Sequence, residues 1–393
     1  MDNNIIDLHL LIPCKYTDLS RFQFPENIDS EERFFIEQLD FCNNTDFSNE
    51  YIRSLSRFPV DAKRIGVTEE FPKKVSLPCF GVVSIHEPTK LTVVDIVVQN
   101  ITSGADIVVN AFRAKRLTIG DADRLQSLDS WLNERYGLYP VGEHKCIVFS
   151  GQQLSDEEKI NFLATECMPM GKIIGSDFKT MATNNIAQYD TAEAYVSEVT
   201  LLEISKSFKP DSHVRLAEQA IEVFFMKLIL LQDAAISNVN LLIEKAIDDE
   251  TTRIGNTEDE LLALVTELSK ATKFFDPRNF YYPTVRASSI RIAEKFGLTK
   301  QSALMSENKS ILEQLIEINS MKLQNKENDI INVILIILAI IQVVPILFSD
   351  QRTIIYTGIT CVACFLLIIL LRYKLFRRKR RKHRHIDSNT TSN

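Results

Sequence analysis

Two apolar runs beyond residue 329 constrain this chain more than any other feature. Residues 330–348 hold only Asn332, Gln342 and Pro345 besides apolar side chains, and residues 354–371 carry no charge. Each approaches the ~20 residues with which a helix crosses a bilayer core. Residues 349–353 are the only connection between them, so the pattern predicts a transmembrane hairpin of two helices.

Charge then sets the orientation. The whole chain has a formal net charge of -7, but residues 372–393 contain nine Lys/Arg against one acid. The block Arg377, Arg378, Lys379, Arg380, Arg381 and Lys382 is the expected membrane-anchoring element, because Lys/Arg excess holds a segment on the cytoplasmic side and is attracted to anionic lipid. Two spans place residues 1–329 on the same side. The expected location is the cell inner membrane, multi-pass, with N-terminal domain and tail both cytoplasmic. The lipid bilayer, not nucleic acid, is the expected partner of the tail.

The seven cysteines show no framework spacing and read as reduced thiols. Cys361 and Cys364 lie inside an apolar run, where thiols pack as small hydrophobes. Asp2, Asp7 and His9 break up any secretory leader at the N-terminus.

Before residue 180, short β-branched runs at 80–85, 91–98, 106–112 and 145–149 predict strands. Helical spacing over 121–136, ending at Gly137, and a capping box at Ser155–Glu158 predict intervening helices. After Tyr189 the β signal fades. A helical pattern runs through Leu216, Ala220, Val223, Met226 and Leu230 toward Ile247, and a second capping box at 257–260 opens a returning helix. From Gln301 no Pro or Gly interrupts the chain until Pro345, which predicts one stalk helix entering the membrane. The expected fold class is therefore an α/β cytosolic domain followed by long antiparallel helices and a stalk helix continuous with the first of two transmembrane helices. The expected divisions are 1–188 (α/β), 189–300 (helical, acidic tip), 301–329 (stalk), 330–371 (hairpin) and 372–393 (basic tail).

Polar residues within a membrane helix face protein or water. At 100° per residue, Asn325, Asn328, Asn332, Ala339 and Gln342 share one sector about 100° wide. They are the expected pore-lining residues of a homo-oligomer. Asp248, Asp249 and Glu250 before the helix turn, and Glu258, Asp259 and Glu260 after it, gather at one helix tip, and clustered carboxylates bind hard cations.

This arrangement resembles the CorA-like metal-ion transporters. Their Gly-Met-Asn signature at the outer end of the first span is replaced here by Ile346-Leu347-Phe348-Ser349-Asp350, so the chain resembles a divergent branch. The resemblance implies a homopentamer, Mg2+ or another divalent cation as the ion, Asp350 at the pore mouth, a regulatory metal site at Asp248, Asp249, Glu250, Glu258, Asp259 and Glu260, and a cytosolic domain that gates a channel or transporter. The alternative it implies is a membrane effector of an antiviral, CRISPR-associated system, whose cytosolic partner is a nucleotide messenger.

Enzyme chemistry is not expected. Residues 171–176 have phosphate-loop letters in the wrong order, the six histidines lack zinc spacing, and no nucleophile elbow is present.

Overall fold

The computed structural model describes residues 5–22, 25, 28–45, 50–67, 75–121, 124–164, 176–187, 191–206, 208–252, 262–263, 265–266, 269–270, 272–276 and 283–347. The chain divides into two compact units, Met1–Gln314 and Leu315–Asn393.

The first unit is an α/β body. Its strands are β1 (Ile6–Tyr16), β2 (Leu55–Val60), β3 (Arg64–Val67), β4 (Ser76–Pro78), β5 (Phe80–His86), β6 (Leu91–Ile101), β7 (Leu117–Asp121), β8 (Arg124–Ser127), β9 (Leu138–Pro140), β10 (Lys145–Ser150), β11 (Ala192–Val196) and β12 (Thr200–Ser205). The helices are α1 (Ser30–Thr45), α2 (Glu50–Arg53), α3 (Ala105–Arg113), α4 (Leu128–Tyr136), α5 (Asp156–Leu163), α6 (Ser176–Thr183), α7 (Ser212–Thr252) and α8 (Pro283–Lys295). A further helix, α9 (Leu298–Leu347), begins in the first unit and supplies the described residues of the second.

The main sheet runs β11-β12-β10-β1-β6-β5-β2, with β9 also paired to β1. Every pair in it is antiparallel except β10 and β12. A smaller antiparallel sheet has the order β4-β3-β7-β8.

β1 shows why the central strand forms where it does. Its residues alternate between faces, as strand geometry requires. Leu8, Leu10, Ile12 and Cys14 join a core shared with Val108, Phe112, Trp131 and Leu163. Asp7 and His9 turn the other way and meet Arg215 and Gln219 of α7. α7 lies against α1, β6 and β1, and it buries Leu216, Ala220, Val223, Met226 and Leu230. The sheet is thus covered on both faces.

The sequence reading holds for β5, β6, β10 and α5. In α5 the Ser155 hydroxyl accepts from Glu158 N–H and the Glu158 carboxylate accepts from Ser155 N–H, completing the capping box. Residues 106–112 are a correction, for they form α3 and not a strand. Gly104, at φ 81°, turns the chain into the helix, and Val108, Val109, Ala111 and Phe112 pack from one helical face into the core. The β preference of their side chains yields to that packing. Residues 121–136 divide, with β7 and β8 completing a hairpin before α4 begins at Leu128.

The fold class itself is corrected on two counts. The β structure does not end at Tyr189: β11 and β12 extend the main sheet, and α7 packs on that sheet, so the residues expected to form a separate helical region belong to the α/β body. In addition, no helix among the described residues is long and apolar enough to cross a membrane, which overturns the stalk helix continuous with a first transmembrane span. Before Ile330, α9 carries Lys309, Glu313, Glu317 and Asp329, and beyond it the described side chains extend only to Ala339, so no described stretch reaches the ~20 apolar residues that cover a bilayer core. The second apolar run, 354–371, lies outside the described residues.

Candidate functional site

Two polar constellations lie on the α7 side of the main sheet. The first is sealed. Asp95 of β6 accepts from His9 Nδ1 at 3.2 Å and contacts Lys227 Nζ at 3.1 Å. His9 Nε2 faces Gln219 Oε1 at 3.3 Å, and Gln219 Nε2 donates to Asp7 at 3.1 Å. Arg215 donates from Nε to Asp7 at 2.7 Å and from Nη2 to Asn100 at 2.7 Å. Asn100 sits at φ 57° beside the register shift between Ile6 and Leu8 of β1, and its N–H donates to Asp7.

Asp7, His9 and Asp95 are wholly buried, and Arg215 and Lys227 almost so. Burial alone raises the Asp95 pKa, but Lys227 and then His9 outweigh it and hold the carboxyl below its ordinary value. Burial lowers the Lys227 pKa against the pull of Asp95. Phe35 adds an aromatic face 5.7 Å from the ammonium. With no opening to solvent, this network positions α7 on the sheet and offers no place for a substrate. It also explains Lys227 within an apolar stretch: the ammonium faces a carboxylate inside the core.

The second constellation opens into a cavity of about 240 Å³. Its floor is the β11–β12 hairpin, whose register sets Ala194 opposite Glu203. Ile221, Glu222 and Phe225 of α7 form one wall, and Ser288 and Ile292 of α8, one turn apart, form another. Glu222 lies beside Glu203. Enclosure and the neighbouring carboxyl raise the Glu222 pKa well above the usual carboxylate range. Its Oε2 is buried and has no hydrogen-bond partner among the described residues. Burial and a like carboxyl beside it therefore favour the protonated form of Glu222.

None of the residues expected from the sequence to be functional enters either constellation. Asn325, Asn328, Asn332 and Ala339 are exposed on α9, and Gln342 lies on the same helix with its side chain outside the described set. Asp248, Asp249 and Glu250 lie in the last turns of α7, their side chains likewise undescribed. Glu258, Asp259, Glu260, Asp350 and the basic residues Arg377, Arg378, Lys379, Arg380, Arg381 and Lys382 fall outside the described residues. Among the described residues no group of three or more His, Cys, Asp or Glu is placed to hold a metal ion.

Glu203 and Glu222 were missed because neither stands in a motif. Glu203 interrupts the apolar run of β12, which is the sole sequence signal. Taken as a class, the fold is a mixed-sheet α/β body carrying an acid-lined cavity near one sheet edge. Comparison of the chain with family models, with curated proteins and with solved structures finds no match.

Proposed function

We propose that this protein is a homo-oligomeric membrane ion channel or transporter of CorA-like type, serving divalent cations, with the α/β body as its regulatory part. The observation that carries this reading lies on α9. Ile330, Ile331, Val333, Leu335 and Ile336 are each exposed by half or more. At 100° per residue these five positions are distributed around the whole helix circumference. A helix that is apolar on all sides belongs in lipid or in a protein interior, not in water. What favours a bilayer setting is the uncharged run 354–371 with the basic residues of 372–382 after it, which are attracted to anionic headgroups. Asn332 and Ala339 interrupt the apolar surface and are the positions proposed to face a conduction path.

Between this reading and that of an effector triggered by a nucleotide messenger, the acid-lined cavity favours the former. The charged residues lining the described cavity are Glu203 and Glu222, which would repel a phosphate. The test is Mg2+ entry into proteoliposomes containing the purified full chain, followed with an internal Mg2+ dye. Entry above that of empty liposomes, reduced at least tenfold by Asn332→Leu, is the expected result. Absence of flux for Mg2+, Co2+, Na+ and K+ alike would overturn the proposal.

A further inference from the structure

We propose that the cavity between the β11–β12 hairpin, α7 and α8 is a binding site for a small organic amine, its ammonium group on the Glu203–Glu222 pair and its alkyl part against Ile221, Phe225 and Ile292. At about 240 Å³ the cavity is below the ~300–1,000 Å³ typical of drug-sized ligands, so its occupant is small. Three features select the chemistry.

The lining is mainly apolar, with Ile, Ala, Leu and Phe side chains contributed by two helices, a hairpin and the segment at Ile186–Ala187. Both charged side chains of that lining are carboxyls, and no described lining residue is a cation. One carboxylate oxygen, Glu222 Oε2, is buried without a hydrogen-bond partner and is therefore free to accept from a ligand N–H. An ammonium donates up to three hydrogen bonds and accepts none, matching two carboxyls and the Ser288 hydroxyl.

A divalent metal is a poorer match. Mg2+ and Ca2+ take six or more oxygen ligands, with waters completing the shell. Here two carboxyls and one hydroxyl would be its side-chain ligands, and apolar walls cannot hold the waters. The displaced species is instead the proton that Glu222 retains: on amine binding it leaves to buffer, and the Glu222 carboxylate then faces the ammonium. Apolar walls strengthen that attraction by excluding water.

The inference does not depend on ion conduction, and its assay fails separately from the flux assay. Isothermal titration of the purified full chain with n-hexylamine, 1-hexanol, hexanoate and MgCl2, each in two buffers of different ionisation enthalpy at pH 7, tests it. Hexylammonium should bind at one site per chain, at least tenfold tighter than hexanol, with release of close to one proton; hexanoate should not bind. Glu222→Gln should weaken binding at least tenfold and abolish proton release. Ala194→Leu fills the space opposite Glu203 without changing any charge and should abolish binding, giving a second variant should Glu222→Gln not fold. Equal binding of hexanol and hexylamine, binding indifferent to Ala194→Leu, no binding of any probe, or Mg2+ binding lost in Glu222→Gln would each overturn the proposal.

Discussion

Replacing Asp95 with asparagine keeps side-chain shape but removes the negative charge at the centre of the sealed network. Lys227 Nζ lies 3.1 Å from that carboxylate, and the two side chains are 2% and 0% exposed. No water can replace the lost partner without opening α7 from the sheet. Removing one member of a buried ion pair destabilises by about 3–5 kcal/mol, because the remaining charge stays buried and uncompensated. At about 2–4 °C per kcal/mol for a large domain, the midpoint of thermal unfolding should fall by roughly 6–20 °C.

The assay is a double-mutant cycle with Lys227→Met, using circular dichroism on the full chain. Asp95→Asn with Lys227→Met should recover at least about 2 kcal/mol relative to the sum of the single changes, since no uncompensated charge remains. The pH dependence follows from the depressed Asp95 pKa. The carboxylate's contribution is present above its unfolded value of 3.8 and is lost as pH falls through the lower native value. The gap between wild type and Asp95→Asn should hold from pH 5 to 8 and narrow only below about pH 4. A single variant within about 0.5 kcal/mol of wild type, or additive cycle energies, would refute the claim that this pair anchors α7.

Two further predictions concern the body. His144 is buried beside Phe112, its ring nitrogens lack hydrogen-bond partners among the described residues, and burial followed by Lys115 depresses its pKa to about 4. Stability from the neutral ring is therefore present above 6.5 and lost as pH falls toward 4. His144→Phe should flatten the pH-stability profile across that window, measured by urea unfolding at pH 4.5 and 7.5. Gly81→Ala should destabilise by about 1–3 kcal/mol through overpacking, since an added Cβ would lie 2.3 Å from Val60 Cγ2. Val60→Ala in the same chain should recover part of that loss in the same unfolding assay.

How much of this was legible beforehand depended on whether a residue's reason for being there was local. The capping box of α5, the apolar stripe of α7 and the runs that became β5, β6 and β10 are stated within a few neighbouring residues. β1 was not. Asp7 and His9 look like interruptions of an apolar segment, yet they are its deliberate polar face, intelligible only beside Arg215 and Gln219 some two hundred residues later. The same holds for the cavity, whose two carboxyls come from a strand and a helix with no shared motif. For α3, one helical face of apolar residues was read as a strand because Val and Ile favour both a pleated surface and a tightly packed core.

The span between Asp7 and Arg215 also sets a timetable. Among the described strands β1 has the most partners and is made before α7, and 208 residues separate its acid from the guanidinium that pairs with it. At about 5–20 residues per second, the ribosome needs roughly 10–40 s to cover that distance. Throughout this interval the half-made sheet must keep one side wet, because closing it would strand a bare carboxylate indoors. The nascent chain is thus exposed to chaperones and proteases until α7 emerges, and a truncation before Ser212 would leave that side permanently open.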